Sequence, residues 1–378
     1  MSLLQLVRDR SPRMRRFGES LTKLGLVVAA VLCGLGLAAI IITLIGGSPI
    51  DAAAALFSGA FGSWQRVGVT AARMVPLIAV ALGWIVAFRA AKVNLGLQGQ
   101  LIVGGIVAVW VAIEGPDLPP PLALALATFS GIAAAALYAA IAALLWAKRG
   151  VNEIVSTLML TFIAQQVFAW LIRGPLRDTS SSSDQTKPLQ AAYRWPLLIK
   201  GSPFSLEVGL IIVAVVLLVF VLNRTGFGFK LRLTGENPEA ARHAGINTLR
   251  TVVMSFVISG GLAGLAGAGL VLGGERSVVS GGFGGNIGFT GVVVALVAMN
   301  SPISCIPAAA LFAALDTGGS VMQARADIPS EVILITQGVI VILVAASNLL
   351  IRRFEARATD ARIEAERTLE KLPVLVDG

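Results

Sequence analysis

The chain has 378 residues, of which 56% are hydrophobic and only 13% are charged. Soluble globular domains carry about 25% charged residues, so this chain has too little charge to cover a folded surface in water. The composition therefore excludes a soluble globular protein and indicates one that crosses a membrane several times. The runs are apolar on all sides, which favours spanning helices over a barrel, whose strands would be apolar at every second residue.

A spanning helix needs about 20 largely apolar residues. Runs of this kind predict an all-α polytopic membrane protein with about ten transmembrane helices, of which the third and eighth are visibly short. Only Gly- and Asn-rich flanks are available to lengthen these two, so we expect broken or partly unwound helices there. The predicted spans are Leu24–Ile45, Thr70–Phe88, Gln98–Ile113, Leu122–Trp146, Ile154–Ile172, Leu206–Leu222, Thr251–Leu272, Gly288–Met299, Ile303–Val321 and Glu331–Ile351.

Basic residues predict the orientation. They concentrate in an N-terminal arm (1–23), a central loop (223–250) and a charged tail (353–378), which an even number of spans places together in the cytoplasm. The membrane domain is then 24–352, with an external loop at 173–205 that itself carries five basic residues. The net charge of +9 is explained by topology and anionic lipid, because no basic folded domain for nucleic acid is present.

One motif occurs twice. The pattern Asn-x-Gly-x-x-Gly stands at 94–99 and again at 286–291, and each copy opens a short apolar run. A second echo follows, Glu-Ile-Val at 153–155 and Glu-Val-Ile at 331–333. On the predicted topology the two copies start on opposite faces, so the repeat is inverted and spans 2–5 match spans 7–10. Such a repeat in an apolar chain is typical of a transporter, with the substrate handled where the repeats meet.

Polar residues in and near these repeats are the candidate substrate pathway. Asparagine can satisfy backbone groups that are freed where a helix unwinds, and the following helix N-terminus leaves partially positive N–H groups unpaired. The glycines allow either close approach of a substrate or tight helix packing, and both alternatives stay open. The candidate pathway residues are Asn94, Gln98, Gln100, Asn152, Asn286 and Thr290.

Acidic residues are few within the spans. Glu153 and Glu331 lie at span ends, where capping of a helix is the simpler interpretation, and Asp316 near the outer end of its span is a similar case. The sequence has no Walker A pattern, one histidine, no metal-ligand spacing and no Ser/His/Asp set. We therefore expect no catalytic residue, no metal site and no cofactor bound by this chain.

The segment Gly235–Asn247 predicts a short, capped helix in the central loop. Asn237 is a good N-cap, Pro238 suits the first helical position, Glu239 complements the helix dipole, and Gly245 can end the helix in a left-handed conformation. Two turns are marginal in water unless they dock, so we expect a partner here rather than a connector lying on lipid. The predicted contact residues are Glu236, Asn237, Pro238, Glu239, Ala240, Ala241, Arg242, His243 and Gly245.

This segment resembles the Glu-Ala-Ala…Gly coupling helix of ABC importer permeases. Together with 94–100 and Gly150–Leu160, it looks like the permeases of the branched-chain amino acid and simple-sugar class, and most like the nucleoside branch served by basic-membrane-protein-type lipoproteins. The resemblance covers nearly the whole chain. That family usually has Ile second in its Asn-x-Gly-x-x-Gly motif and an acidic residue before the second Gly, where this chain has Leu95 and Gln98.

The resemblance implies a type II importer transmembrane subunit in a bacterial inner membrane, with both termini cytoplasmic. The chain would form half of a pathway for nucleosides or a related small polar solute, beside a second permease that is a homologue or another copy. A separate ATPase would hold ATP–Mg and grip the coupling helix, and an external lipoprotein would deliver the substrate. The alternatives are a simple-sugar or branched-chain amino acid permease or, in another class, an ion-coupled secondary transporter, which needs a carboxylate deep in the bundle.

Overall fold

The computed structural model describes residues 12–274, 278, 283–326, 328–329 and 331–347, and for residues 12–24 it describes the backbone alone. Within these residues the chain is helical, which confirms the all-α fold, and β pairing is limited to two isolated bridges. The helices are α1 (Pro12–Leu44), α2 (Pro49–Phe61), α3 (Trp64–Arg89), α4 (Leu97–Glu114), α5 (Pro120–Arg149), α6 (Glu153–Arg173), α7 (Val208–Arg224), α8 (Gly226–Glu236), α9 (Pro238–His243), α10 (Thr248–Gly273), α11 (Ile287–Val297), α12 (Cys305–Ala326) and α13 (Glu331–Ser347).

The chain is a multi-pass membrane protein. In the described part, seven helices are long and apolar enough to cross a membrane, and α7 with α8, bent by 69°, makes an eighth if the two form one span. Each of the ten predicted spans coincides with a helix, α2 and α11 are shorter apolar helices, and α13 is described from Glu331 to Ser347. Of the two spans expected to be short, the eighth is confirmed in α11, which has 11 residues, whereas the third, α4, has 18 residues and is long enough to cross a membrane. The charged tail, 353–378, lies outside the described residues.

Capping residues set several of the helix boundaries. Asn152 begins α6 by accepting hydrogen bonds from the Ile154 and Val155 N–H groups, and Asn247 begins α10 by accepting from Arg250. Gly150 ends α5 with a φ of 65°, a left-handed conformation that glycine adopts at little cost. Both echoes of the repeat lie in helices, Glu153 as the first residue of α6 and Glu331 within α13.

The described residues divide into two compact units, one within Ile50–Ser330 and the other drawn from Met1–Pro49 together with Glu331–Gly378. In the second unit α1 lies against α13. A side chain added at Gly34 would come within 3.4 Å of the Ile340 Cδ1 atom and closer still to its Cγ1, and Ile340 is fully buried. Small residues at such crossings let helix backbones approach closely in a membrane, where dispersion rather than water drives packing.

In the larger unit the two halves of the repeat exchange partners. Helix α10, from the second half, packs against α4 and α5 of the first half, while α3, from the first half, packs against α11 and α12 of the second. Helices α3 and α10 also pack against each other. The pattern is unchanged when the two halves are swapped, as a pseudo-two-fold repeat requires.

The crossing of α4, α5 and α10 depends on glycine. A Cβ at Gly264 would lie 2.8 Å from the Gly131 carbonyl oxygen on α5, and one at Gly104 would lie 2.9 Å from the Gly264 carbonyl oxygen. Real side chains do not tolerate such distances from backbone atoms, so these three helices approach closely because Gly104, Gly131 and Gly264 carry none.

The two ends of α3 identify the two faces of the unit. Near its first residues, a Cβ at Gly68 would lie 2.8 Å from the Ser202 Cβ atom, so this end meets the α6–α7 loop, residues 174–207. At its last residues, a Cβ at Gly235 would lie 3.1 Å from the Ala91 nitrogen, so the other end meets α8.

Helices α4 and α11 run to opposite faces. The C-terminal end of α4 reaches the α6–α7 loop, where the Gln190 Nε2 atom donates to the Ile113 carbonyl at 3.0 Å. Just beyond α11, the Asn300 Oδ1 atom accepts from the Trp84 indole N–H at 3.1 Å, near the α8 end of α3. Because the N-termini of α4 and α11 meet each other, as described below, the two copies point away from one another. The contacts agree with the inverted repeat.

Candidate functional site: repeat joint, coupling helix and intramembrane ion pair

The two motif copies touch at what we call the repeat joint, formed by Gln98, Gly285 and Gly288. The Gln98 amide donates to the Gly285 carbonyl at 2.9 Å and accepts from the Gly288 N–H at 2.6 Å. A Cβ at Gly288 would lie 2.5 Å from the Gln98 backbone nitrogen, so glycine is required there. An amide can donate and accept at once, whereas a carboxylate only accepts, so glutamine suits both contacts where the family usually has an acid.

Asn94 is enclosed at the start of the first copy. Its amide donates to Gln100 at 3.0 Å and to Ser259 at 2.9 Å, and its oxygen accepts from Gly96 and from the Gln100 amide. All four hydrogen-bonding positions of the amide are used, and Asn94 is fully buried. This network joins the unwound entry of α4 to the middle of α10, which is how buried polar groups are tolerated at membrane depth.

The second copy differs from the first. Asn286 is exposed and makes no capping hydrogen bond, Phe289 is 38% exposed, and Thr290 is half-buried. The first copy therefore brings Asn94 and Gln100 together in a closed network and directs Gln98 to the second copy, whereas the second copy leaves Asn286 and Thr290 open. A role for any of these residues in contacting substrate stays a prediction.

Asn152 lies apart from the repeat joint. It is the N-cap of α6, and its exposed side chain is occupied by two backbone N–H groups of that helix. The neighbouring Glu153 accepts from Lys92 at 3.2 Å, and the Lys92 ammonium lies 4.2 Å from the centre of the Trp146 ring. These contacts fasten the α3–α4 connection to the start of α6.

The short capped helix predicted in the central loop is formed as α9. Asn237 caps α9, its Oδ1 atom accepting from the Ala240 N–H at 3.0 Å, and Gly245 has a φ of 75°. The Ile246 N–H closes the end by donating to the Ala241 carbonyl at 2.9 Å. Ala241 is fully buried, so this residue anchors the helix. The exposed residues are Glu236, Asn237, Pro238, Glu239, Ala240, Arg242, His243, Ala244 and Gly245.

The α6–α7 loop is ordered and lies over helix ends on the opposite face. The Tyr193 hydroxyl donates to the Pro116 carbonyl at 2.8 Å, and the Trp195 N–H donates to the Leu272 carbonyl at 2.8 Å. The second contact pairs a carbonyl in the last turn of α10 that has no partner within that helix. Within the described residues, four of the five basic side chains of 173–205 have local partners. These pairs are Arg173 and Arg177 with Asp184, Lys187 with Glu114, and Arg194 with the Leu189 carbonyl.

Arg73 and Asp316 form an ion pair that the sequence interpretation did not anticipate. The Arg73 Nη1 and Asp316 Oδ2 atoms are 2.6 Å apart. The sequence predicts Asp316 near the outer end of its span, and in the structure α12 continues to Ala326, so Asp316 lies at the middle of the helix. The available signal was a single charge inside each apolar run, which in a membrane indicates function by default.

Comparison with known proteins identifies the family. The family described as "Branched-chain amino acid transport system / permease component" matches residues 66–345. The chain is 33% identical to the nucleoside ABC transporter permease protein NupB of Lactococcus lactis subsp. cremoris, over 85% of this chain and 90% of that protein. It is 34% identical to the guanosine ABC transporter permease protein NupP of Bacillus subtilis, over 87% and 95%. It is 30% identical to the glucose ABC transporter permease protein TsgB13 of Haloferax volcanii, over 90% and 93%.

The residues matched by the family include those of the repeat joint, of α9 and of the α6–α7 loop. The chain therefore belongs to the family of branched-chain amino acid transport system permease components and is the membrane-spanning permease subunit of an ABC transporter.

Proposed function

We propose that this permease imports nucleosides. The observation that carries the proposal is its 33–34% identity to two relatives named for nucleoside and guanosine transport, over 85–87% of the chain. The relative named for glucose, at 30% identity, makes a simple sugar the competing substrate.

We propose that a separate ATPase subunit binds ATP–Mg and contacts α9. Nine exposed residues from Glu236 to Gly245 surround a helix that is held at only one buried position, Ala241. A short capped helix of this kind is rigid enough to transmit displacement. Below it, Gly235 lies against the Arg89–Ala91 turn, so movement of α9 would reach the end of α3 directly.

The repeat joint is the proposed hinge of transport. The first turns of α4 and α11 meet there, and α11 is only about 16 Å long at 1.5 Å per residue. A short helix and a full-length helix that meet end to end can tilt against each other and open the pathway to one face at a time. The ATPase must bind the two arrangements with different affinity for ATP to bias them.

The two faces of the membrane domain indicate where the remaining partners would bind. The α6–α7 loop would lie outside and receive a substrate-binding lipoprotein, while α9, both termini and the basic arm would lie in the cytoplasm of a bacterial cell. A second permease, homologous or identical, would complete the pathway in the inner membrane. This chain would bind no cofactor, metal or nucleic acid itself.

The test is purification of the tagged complex in mild detergent, identification of the chains that co-purify, and uptake of labelled guanosine, cytidine and glucose into proteoliposomes containing ATP. Co-purification of an ATPase, with ATP-dependent uptake of nucleosides and not of glucose, would support the proposal. Uptake of glucose without uptake of nucleosides would mean that the substrate is a simple sugar and not a nucleoside. Uptake that continues without ATP would refute the coupling and favour an ion-coupled carrier.

A further inference from the structure

The Arg73–Asp316 pair lies at membrane depth. Helix α3 runs from Trp64 to Arg89 and α12 from Cys305 to Ala326, so Asp316 is at the centre of its helix and Arg73 is about 5 Å from the centre of α3. Both helices are apolar enough to span the membrane. The pair therefore lies within the apolar segments of two helices that are long enough to cross a membrane.

The pair is not enclosed by the chain. The side chains of Arg73 and Asp316 are 39% and 65% exposed. Charges in transmembrane segments are costly towards lipid and almost always face a bundle interior or a water-filled cavity. The exposed side of this pair is therefore not expected to face lipid, and an aqueous passage is the surface on which both charges stay hydrated.

Further polar groups continue the same face. Ser320 and Gln323 lie one and two turns beyond Asp316 on α12, and both are exposed. On α3, Leu77 and Val80 lie against Gly291 of α11, and Arg73 is one turn before Leu77 on that side.

Helices α3 and α11 both run towards the α8 face, so the first turn of α11, which follows the exposed Asn286, is level with Arg73. The Arg73–Asp316 pair and the first turn of α11 thus lie at a similar level along α3.

We propose that Arg73 and Asp316 contact the transported solute, and that this solute is an uncharged heterocycle with adjacent hydrogen-bond acceptors and N–H donors, such as a purine base. This rests on the proposed import of nucleosides. The ion pair joins one guanidinium nitrogen to one carboxylate oxygen. The remaining guanidinium N–H groups can donate to ring nitrogen or carbonyl acceptors, and the other carboxylate oxygen can accept from the base. The pair has no net charge, which suits a neutral solute.

Exchange of the two charges tests the proposal against a purely structural ion pair. Arg73→Asp combined with Asp316→Arg keeps opposite charges on α3 and α12 but reverses which helix offers donors. We expect the complex to assemble with its ATPase, and guanosine uptake in proteoliposomes to stay at about a tenth of wild type or less, as with Asp316→Asn alone. Recovery of uptake in the double variant would mean that the pair only joins the helices and would overturn the proposal.

A cysteine-labelling experiment tests whether the solute passes the Asp316 face of α12, even where those variants fail to assemble. Ser320→Cys is made with Cys33→Ala, because Cys33 is exposed, while Cys305 is buried and is kept. During turnover, a charged thiol reagent should label Ser320→Cys, and guanosine should slow the labelling severalfold. Val216→Cys, exposed on the apolar α7, is the control and should react only with a lipid-soluble maleimide.

The labelling results distinguish a failure of this proposal from a failure of the proposed import of nucleosides. If Ser320→Cys behaves like Val216→Cys, the face is turned to lipid or to a partner chain and the proposal is wrong. If labelling occurs but guanosine does not affect it, while wild type imports guanosine, the solute does not pass here. Failure of wild type to import nucleosides contradicts the proposed function instead.

Discussion

Replacing Gly288 by alanine should disrupt the repeat joint. The new methyl group would lie 2.5–2.6 Å from the Gln98 backbone nitrogen and Cβ, and no rotamer change can move a backbone atom away. Overpacking costs about 1–3 kcal/mol. Separation of the helices would also break the bond from the Gly288 N–H to Gln98, and buried groups left without partners cost a further 1–3 kcal/mol or so. The sum is about 2–6 kcal/mol, or roughly 4–12 °C of melting temperature at about 2 °C per kcal/mol.

The assay is thermal unfolding of the purified complex in detergent, followed by uptake. Gly36→Ala is the matched control, because a Cβ at Gly36 in α1 meets nothing within 4 Å and alanine in a helix should be neutral or stabilising by about 0.5–1 kcal/mol. Gln98→Leu removes the hydrogen bonds without adding a methyl group to the crossing and should lie between the two. A melting temperature for Gly288→Ala within about 1 °C of wild type would refute the close contact at the joint.

Three further substitutions test the two faces of the molecule. Gly245→Val forces a β-branched residue to a φ of 75°, so transport and co-purification of the ATPase should be lost while membrane insertion is intact; normal uptake would contradict the coupling assignment. Asn237→Ala should weaken α9 by about 1 kcal/mol and lower the ATPase activity stimulated by the binding protein, whereas Asn237→Asp should retain it, and equal activity of both variants would argue against the cap. Tyr193→Phe removes the hydrogen bond to Pro116 and should lower stability by about 0.5–1.5 kcal/mol in thermal unfolding, an effect absent if the loop contact is unimportant.

Local chemistry allowed much of this structure to be predicted. The caps of α9 depend on Asn237 and Gly245 alone, which is why residue preferences predicted its start and end. The motif copies indicated short helices because glycine and asparagine replace apolar residues at their starts. Helix α2 was not predicted, because its 13 residues are too few for a span and it gains its place by packing Gly59 against Gly318 and Val321.

Tertiary contacts determined the rest. Asn94 and Asn286 occupy the same motif position, yet only Asn94 has Ser259 and Gln100 as partners, so one is buried and the other exposed. Asp316 was placed near a span end because the apolar run stops at Val321, although the helix continues through polar residues. Its pairing with Arg73, far away in the sequence, is invisible to any window that measures hydropathy along the chain.

The exchange of partners between the halves has a consequence for biogenesis. Arg73 enters the bilayer with α3, but Asp316 follows it by 243 positions. At a synthesis rate of about 5–20 residues per second, Asp316 is added to the chain roughly 12–50 s after Arg73. During that interval α3 lacks α10, α11 and α12, and its charge has to be hydrated or shielded by the insertion machinery. A nascent chain that stalls before α12 would expose an unpaired arginine within the membrane. Such a charge would distinguish the incomplete chain from the finished protein.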